Sequence, residues 1–240
     1  MQSRSRAAAL AIALVFASPA VLFAAPASAA PAPYSVQYLT LSNGHRVVAR
    51  WNPCRTHTYK VNLASVPTAT RAAVLVETQT ALRVLGAKTG MSFTYKGATT
   101  EVPRVGSYAR QSAEIIVAFT TPLKTNYLYG AADARGGNVA TIGSMTYGAT
   151  TTYTAGIIKG FVVVDTAKLM RSYKPGFGTG VRRGNLMLHE LGHVVGLNHV
   201  SNARLLMNPM LSAYTPNGYA AGDAAGLSVV GRNAGCINGL

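Results

Sequence analysis

Acidic residues are scarce in this sequence of 240 residues, in which seven Asp and Glu oppose 22 Lys and Arg for a formal net charge of +15. No run of Lys or Arg and no base-stacking aromatic motif accompanies that charge, so specific nucleic-acid recognition is not expected. The basic surface predicts a loose association with polyanions such as anionic cell-wall polymers. Charged residues are 12% of the chain and apolar residues 49%, which excludes a disordered protein and favours one packed domain.

Long hydrophobic runs are absent apart from one at the N-terminus. Arg4 and Arg6 precede a short alanine-rich stretch, which Pro19 interrupts and a small-residue cleavage site ends at Ala29. A membrane anchor would need a longer, unbroken run, so residues 1–29 are predicted to be a cleaved signal peptide. We therefore expect a secreted, extracellular protein.

Cysteine is also rare, since the chain contains only Cys54 and Cys236. Export to an oxidising compartment favours a disulfide between them, which would join the start and the end of the mature chain. A cross-link over so long a loop gives a large stabilisation in the chain-entropy model. The competing interpretation is a reactive thiol at Cys54.

The remaining sequence alternates between strand-like and helix-like segments. Alternating or continuous apolar runs predict strands in residues 57–66, 91–97, 113–120 and 156–166. Helical spacing of apolar residues predicts helices in residues 68–90, 182–197 and 222–231. Residues 122–155 are rich in Gly, Thr, Ala and Tyr with little periodicity, and we interpret them as long loops with at most a short hairpin.

The first helix carries end signals at both termini. Thr68 or Thr70 is the candidate cap at its start, and Gly86 or Gly90 the candidate end. The residues expected to share its buried face are Ala73, Val76, Thr80 and Val84.

The last helix is expected to start with Asp223 as its cap and to end at Gly231. Together the elements predict an α+β fold in two lobes. A twisted mixed β-sheet with two long helices forms the upper lobe, and a loop with the C-terminal helix forms the small lower lobe. We divide the chain after the signal into a leader and N-terminal segment, 30–57, and one domain over 58–240.

Three of the five histidines lie in the stretch HELGHVVGLNH. On a helix, His189 and His193 are one turn apart and project from the same face. Glu190 is rotated by about 100° from His189, so its carboxylate can reach a water on a bound metal but not the metal itself. Gly196 can adopt the left-handed conformation that turns the chain back, and His199 then arrives as a third ligand.

Three imidazole nitrogens leave the fourth tetrahedral position of one zinc ion open, which is typical of a catalytic site. Zinc polarises a substrate carbonyl and lowers the pKa of a bound water to around 7. Glu190 is the expected general base, which takes the proton and passes it to the leaving amine. The alternative is a set of core histidines on an ordinary helix, but the full H-E-x-x-H-x-x-G-x-x-H string makes chance a poor explanation. The sequence thus predicts metal-assisted amide hydrolysis in a cleft between the two lobes.

The string and its surroundings resemble the metzincin zinc proteases, and among them the matrixins. Metzincins follow the string with a methionine-containing turn, and here Met207, eight residues after His199, is followed by Pro209 in the matrixin manner. The Asp-x-x-Gly pattern at Asp223 and the strand AEIIVAFT are also similar to matrixin elements. The resemblance implies a metzincin-like catalytic domain over 58–240, endopeptidase activity on extended peptides, and Met207 as an apolar support beneath the zinc.

The loop after the methionine offers candidates for a substrate pocket. Tyr214 and Tyr219 lie in this loop and could line the pocket that accepts the side chain after the scissile bond. Ordinary packing of the two rings is an equally supported interpretation.

Several features of the matrix metalloproteases are not expected here. Their second, structural zinc uses further histidines, and the chain offers only His45 and His57, both near the N-terminus. The small number of acidic residues disfavours bound calcium; Asp165 is the best candidate ligand, and a helix-capping role for it is favoured. The segment RWNPCRT around Cys54 also differs from the Pro-Arg-Cys-Gly stretch of matrixin prodomains, which favours the disulfide with Cys236 over a zinc-blocking thiolate.

These patterns predict a secreted zinc metalloendopeptidase that acts on polypeptides as a monomer. One alternative is a zinc amide hydrolase that acts on cell-wall peptides, where the basic surface would meet an anionic wall. Another is a non-catalytic secreted protein that binds polyanions. Glu190 argues against the latter, because a site kept only for structure does not need a general base.

Overall fold

A seven-stranded β-sheet organises the computed structural model, which describes residues 33–130 and 132–238. The predicted signal peptide lies outside the described residues. The strands are β1 (Tyr38–Thr40), β2 (Arg46–Arg50), β3 (Thr56–Asn62), β4 (Ser92–Ala98), β5 (Ile115–Thr120), β6 (Ala134–Tyr147) and β7 (Thr150–Asp165). The α-helices are α1 (Thr68–Thr89), α2 (Thr166–Ser172), α3 (Arg183–Val194) and α4 (Ala221–Val230). Among these described elements, no helix has the length and apolar character that a membrane span requires.

Strand β7 lies at the centre of the sheet. It runs parallel to β5 along its C-terminal part and parallel to β2 at Ala155 and Gly156, near its middle. Strands β3 and β4 extend the sheet from β5 in the parallel sense, and β1 pairs antiparallel with β2. Strand β6 pairs antiparallel with β7 and with no other strand of the described chain, so it forms an edge. This mixed sheet with its helices confirms the predicted α+β class.

The core explains why β5 is a continuous apolar run. Ile115 and Val117 belong to the large cluster that includes residues of α1 and α3, whereas Ala118 belongs to a second cluster with Phe161. Both faces of β5 are therefore covered, and every one of its residues is buried. Helix α3 packs against α1 and against β6, which places it directly beside the sheet edge.

The prediction of long loops, with a short hairpin at most, was wrong for residues 134–155, whereas the described residues of 122–133 contain no strand or α-helix. Strands β6 and β7 form a long hairpin there, with a turn at Gly148, whose φ is +59°. Much of the hairpin is exposed on both faces, so its sequence lacks the alternation of apolar and polar residues that marks a half-buried strand.

The predicted buried face of α1 was also wrong, although the helix and its end at Gly90 were predicted correctly. Val76 is 59% exposed. Apolar residues occur on all sides of this helix, so spacing alone did not select the face that packs on α3. The residues that are buried are Val74, Thr78, Ala81, Leu82, Leu85 and Thr89.

The start of α1 and the ends of two other helices differ from the predictions by a few residues. Pro67, not a threonine, precedes α1, and Thr70 donates its hydroxyl hydrogen to the Pro67 carbonyl at 3.1 Å instead of capping an N–H group. Helix α3 stops at Val194 instead of Leu197. Asp223 is the third residue of α4, not its cap, and its carboxylate accepts a hydrogen bond from the N–H of Ala220 at 2.9 Å.

The N-terminal segment is part of the same compact unit as the rest of the described chain. Strands β1 and β2 lie within it, and Cys54 forms a disulfide with Cys236. Hydrogen bonds reinforce this link, since Arg50 donates to the Gly235 carbonyl at 2.7 Å and Asn52 to the Ile237 carbonyl at 2.8 Å. The alternative of a reactive Cys54 thiol is therefore not what the structure shows.

The remaining candidate ligands have other partners. Asp165 caps α2, where its carboxylate accepts hydrogen bonds from the N–H groups of Ala167 and Lys168. His57 is buried against Trp51, and its Nδ1 lies 3.1 Å from the Glu114 carboxylate. Both residues thus serve the packing and the helix ends of the fold.

Candidate active site

The three histidines of the motif converge on one point. His189 and His193 project from one face of α3, and His199 reaches the same point from the loop that follows. Their Nε2 atoms are 3.2 Å apart for His189 and His193, 3.2 Å for His189 and His199, and 3.0 Å for His193 and His199. Among the described residues, this is the group of His, Cys, Asp or Glu side chains whose geometry could hold a metal ion.

Backbone carbonyls fix the protonation of two of the rings. The Nδ1 atom of His189 lies 2.7 Å from the Leu206 carbonyl oxygen, and that of His193 lies 2.8 Å from the Leu197 carbonyl oxygen. A carbonyl oxygen only accepts, so each Nδ1 carries the hydrogen and each Nε2 presents its lone pair to the convergence point. The two rings are thereby oriented with their Nε2 atoms toward the convergence point.

Electrostatics keep the histidines neutral. Burial, with the nearby His193, lowers the pKa of His189 to about 3, and burial lowers the pKa of His193 to about 4. Burial also lowers the pKa of His199. At neutral pH all three rings therefore offer lone pairs, which is the state that metal binding requires.

The spacing of the nitrogens fits a small tetrahedral cation. Zn–N bonds of about 2.0–2.1 Å at tetrahedral angles separate two ligand nitrogens by about 3.3 Å. The observed separations of 3.0–3.2 Å are close to this value. Neutral lone pairs held this close repel one another, and a cation between them removes the repulsion. The donor set is thus appropriate for zinc, with three nitrogens from the protein.

Gly196 allows the chain to turn from α3 toward His199. Its φ is +102°, a conformation that L side chains rarely adopt. A Cβ atom here would also lie 2.6 Å from the Ala49 carbonyl oxygen on β2. The Gly196 carbonyl accepts a hydrogen bond from the N–H of Gln37 at 2.7 Å, so the turn is held against the N-terminal segment.

Glu190 faces the sheet edge beside the histidines. Its carboxylate is buried, and its Oε2 accepts a hydrogen bond from the backbone N–H of Gly136 on β6. Burial raises the pKa of Glu190 to about 7, against the opposing effects of that hydrogen bond and of Arg135. A carboxylate with this affinity for protons is suited to accept and return one near neutral pH.

Gly136 is a functional position that the sequence analysis missed. A Cβ atom there would lie 2.0 Å from the Glu190 carbonyl oxygen, so only glycine permits this approach of β6 to α3. Asn138 on the same strand donates its amide hydrogens to the His193 carbonyl at 2.9 Å and to the Gln37 side chain at 2.8 Å. The Gly-Gly pair at 136–137 was the available signal, but it lay in the stretch interpreted as loops.

The turn that contains Met207 lies beneath the histidines. Met207 is fully buried, and its sulfur would lie 2.5 Å from a Cβ atom at Gly192 of α3, so glycine at that position makes room for it. Asp223 of α4 holds the turn by accepting hydrogen bonds from the N–H groups of Leu206 at 2.8 Å and Met207 at 3.1 Å. Because the Leu206 carbonyl in turn orients His189, α4 is connected to the ligand set through the turn.

A cleft of ≈ 760 Å³ opens above the histidines. This volume lies in the range of ligand-binding clefts. The start of β6 forms one wall, and Pro209 and its two following residues line the other side. Tyr214 and Tyr219 are not among the lining residues: Tyr214 is 69% exposed, and Tyr219 is buried with its hydroxyl donating to the Leu188 carbonyl at 2.7 Å.

The comparisons with known proteins agree with this geometry. A model of the matrixin family, peptidase family M10, matches residues 50–228. A comparison with curated proteins found no match. The family match covers well over half of the chain, includes the three histidines and the turn at Met207, and supports a zinc metalloprotease. This chain belongs to the matrixin family of the metzincins.

Proposed function

We propose that the protein is a secreted zinc endopeptidase in which His189, His193 and His199 hold one catalytic zinc ion and Glu190 is the general base. The observation that carries this proposal is the convergence of the Nε2 atoms of three histidines beside a buried carboxylate of raised pKa. The site opens into a cleft, and among the described residues no fourth side chain joins the three histidines. A purely structural zinc site would be closed.

The sheet edge supports polypeptide as the substrate. The first residues of β6 line the cleft, and no described strand pairs with their free side. An extended peptide can add to such an edge as a further strand, which holds the scissile bond along the wall next to Glu190. This mode uses main-chain hydrogen bonds, so it suits cleavage within a chain.

The mechanism assigns separate tasks to the residues present. When bound, zinc polarises the substrate carbonyl and lowers the pKa of a water. Gly136 fixes one oxygen of the Glu190 carboxylate, which leaves the other oxygen to take the proton from the attacking water. Glu190 then returns that proton to the amine nitrogen as the carbon–nitrogen bond breaks. The carbonyls of Leu206 and Leu197 hold the rings of His189 and His193 in the same orientation throughout the reaction.

The test compares the mature chain with Glu190→Gln, which keeps an oxygen to accept from Gly136 but removes the base. Cleavage of a quenched peptide is measured beside zinc content. We expect one zinc in both proteins and a loss of at least about 100-fold in kcat for the variant. His193→Ala is expected to lose zinc, whereas His45→Ala, with an exposed histidine outside the site, retains zinc and activity. Full activity of Glu190→Gln would contradict the role of Glu190.

Two other functions are distinguished by the same preparations. The excess of basic residues would suit an anionic cell wall, so a cell-wall peptide is the alternative substrate. Zinc-dependent cleavage of wall peptides without cleavage of casein would support that reading. A protein that binds zinc and polyanions but cleaves neither substrate would instead be a binding protein.

The proposal also includes that the protein is exported from the cell and acts as a monomer. The disulfide and the composition of residues 1–29 support maturation in an oxidising compartment. N-terminal sequencing of protein recovered from the culture medium should give a start near Ala30. Retention in the cytoplasm with reduced cysteines would contradict export.

A further inference from the structure

Strand β6 continues well beyond the cleft. It lines the cleft as far as Asn138, whereas residues 139–147, which we call the hairpin edge, extend past it. At about 3.4 Å per residue, the hairpin edge provides about 30 Å of strand. Most of its side chains are exposed, and Tyr147 near its tip is 90% exposed.

The backbone of the hairpin edge presents unpaired groups in the same direction as the cleft wall. Gly136 points its N–H away from β7 and toward Glu190. In an antiparallel pair, alternate residues point their N–H and C=O groups outward. The irregularity of the β6–β7 pairing skips Ile158 of β7, so the alternation along β6 is unbroken. Ile142 and Ser144, at even spacing from Gly136, therefore present outward N–H and C=O groups.

The hairpin edge lacks the usual protection of a free strand. Exposed edges are commonly shielded by charged residues or proline, which prevent pairing with other chains. From Gly136 to Ile158 the sequence contains no charged residue and no proline, in a chain with a net charge of +15. The edge is thus open to pairing and offers no countercharge to a charged side chain of a partner strand.

We propose that the hairpin edge is a second part of the substrate site, on which uncharged polypeptide next to the scissile segment pairs as an added β-strand. This inference rests on the proposed endopeptidase function. The Gly136 N–H is already donated to Glu190, so a substrate strand would pair with β6 from Asn138 onward. Such a strand meets the hairpin edge without a change of direction, because both belong to β6. The occupant is therefore the substrate itself, and long extended chains are cleaved in preference to short peptides.

The experiment uses quenched peptides with one scissile segment. A short peptide fills the cleft alone, and two long peptides add about nine uncharged, threonine- and valine-rich residues on one side or the other. With the wild type we expect kcat/KM to be about tenfold higher for one of the long peptides than for the short one, as several added backbone hydrogen bonds allow. Ser144→Pro removes an outward N–H and should abolish this gain without affecting the short peptide. Ser144→Ala keeps the N–H and is the matched control.

Other outcomes separate the possible errors. Ile142→Pro removes a second outward N–H. Both proline variants must first show the melting curve of the wild type. If each of them still cleaves the long peptide better than the short one, the proposal is overturned. Anisotropy of a labelled long peptide on the Glu190→Gln protein tests binding without cleavage. Weaker binding after Ser144→Pro supports the hairpin edge even if no peptide bond is cut, and unchanged binding overturns it. A dimer in light scattering that Ser144→Pro converts to a monomer would assign the edge to a second copy of the chain instead.

Discussion

Replacement of Asp223 should weaken both the fold and the zinc site, although its side chain contacts no histidine. Its buried carboxylate accepts hydrogen bonds from the N–H groups of Leu206, Met207 and Ala220 at 2.8, 3.1 and 2.9 Å. In Asp223→Ala the first two of these groups stay buried without a partner, since their residues are 0% and 1% exposed. An unsatisfied buried donor costs about 1–3 kcal/mol, so we expect a loss of about 2–6 kcal/mol in the free energy of unfolding.

The effect on zinc follows from the turn that Asp223 holds. The Leu206 carbonyl orients His189 through its Nδ1, and a loosened turn releases that orientation. Loss of such an outer partner typically lowers metal affinity by about 10–100-fold. Urea unfolding of the zinc-free protein measures the first quantity, and competition with a chromophoric chelator measures the second. Glu101→Gln, which changes a hydrogen-bonded carboxylate outside the cleft and the turn, is the control.

The reasoning would be refuted by an Asp223→Ala protein that unfolds at the wild-type urea concentration and binds zinc with wild-type affinity. A protein that loses stability but keeps its zinc affinity would separate the two roles. In that case the turn would stabilise the fold without orienting His189.

Three further predictions follow from other contacts. Gly136→Ala should lower kcat/KM by about 100-fold while zinc stays bound, because the added Cβ atom would push β6 away from Glu190. Peptide cleavage kinetics and zinc content measure the two quantities. Burial acts to raise the pKa of Glu114, but hydrogen bonds from His57 and Thr58 outweigh it and lower the pKa to about 2. The contribution of Glu114 to the free energy of unfolding is therefore present above pH 4.5 and is lost as the pH falls toward 2. Urea unfolding should show wild type more stable than Glu114→Gln at neutral pH and the two equally stable near pH 2. Replacing both cysteines with serine should cost about 2–5 kcal/mol in unfolding free energy, and unchanged stability would contradict a structural disulfide.

The catalytic elements were predictable from the sequence because they are local. The spacing of His189 and His193 depends only on helix geometry, and Gly196 permits the turn that follows. The strand at 113–120 was equally clear, because a strand covered on both faces is apolar throughout. Family resemblance then supplied the role of Met207.

The edge strand was not predictable, and it forms one wall of the cleft. It pairs across a hairpin that is largely exposed over residues 141–153, so no apolar alternation marks that part of the sequence. The position of Gly136 against Glu190 depends on the packing of two elements 54 residues apart. Tyr219 illustrates the converse: its place in the loop suggested a pocket residue, whereas its contact with the Leu188 carbonyl arises from packing between α3 and that loop.

The disulfide joins Cys54 and Cys236 across a sequence separation of 182 and makes the chain between them a covalent ring. A metalloprotease at high local concentration is exposed to its own activity, and its loops are the accessible targets. A single cut anywhere inside the ring leaves both fragments attached, so the nicked molecule can keep its sheet and its histidines together. Self-digestion then needs two cuts before a piece is released, and nicked molecules differ from intact ones in size only after reduction.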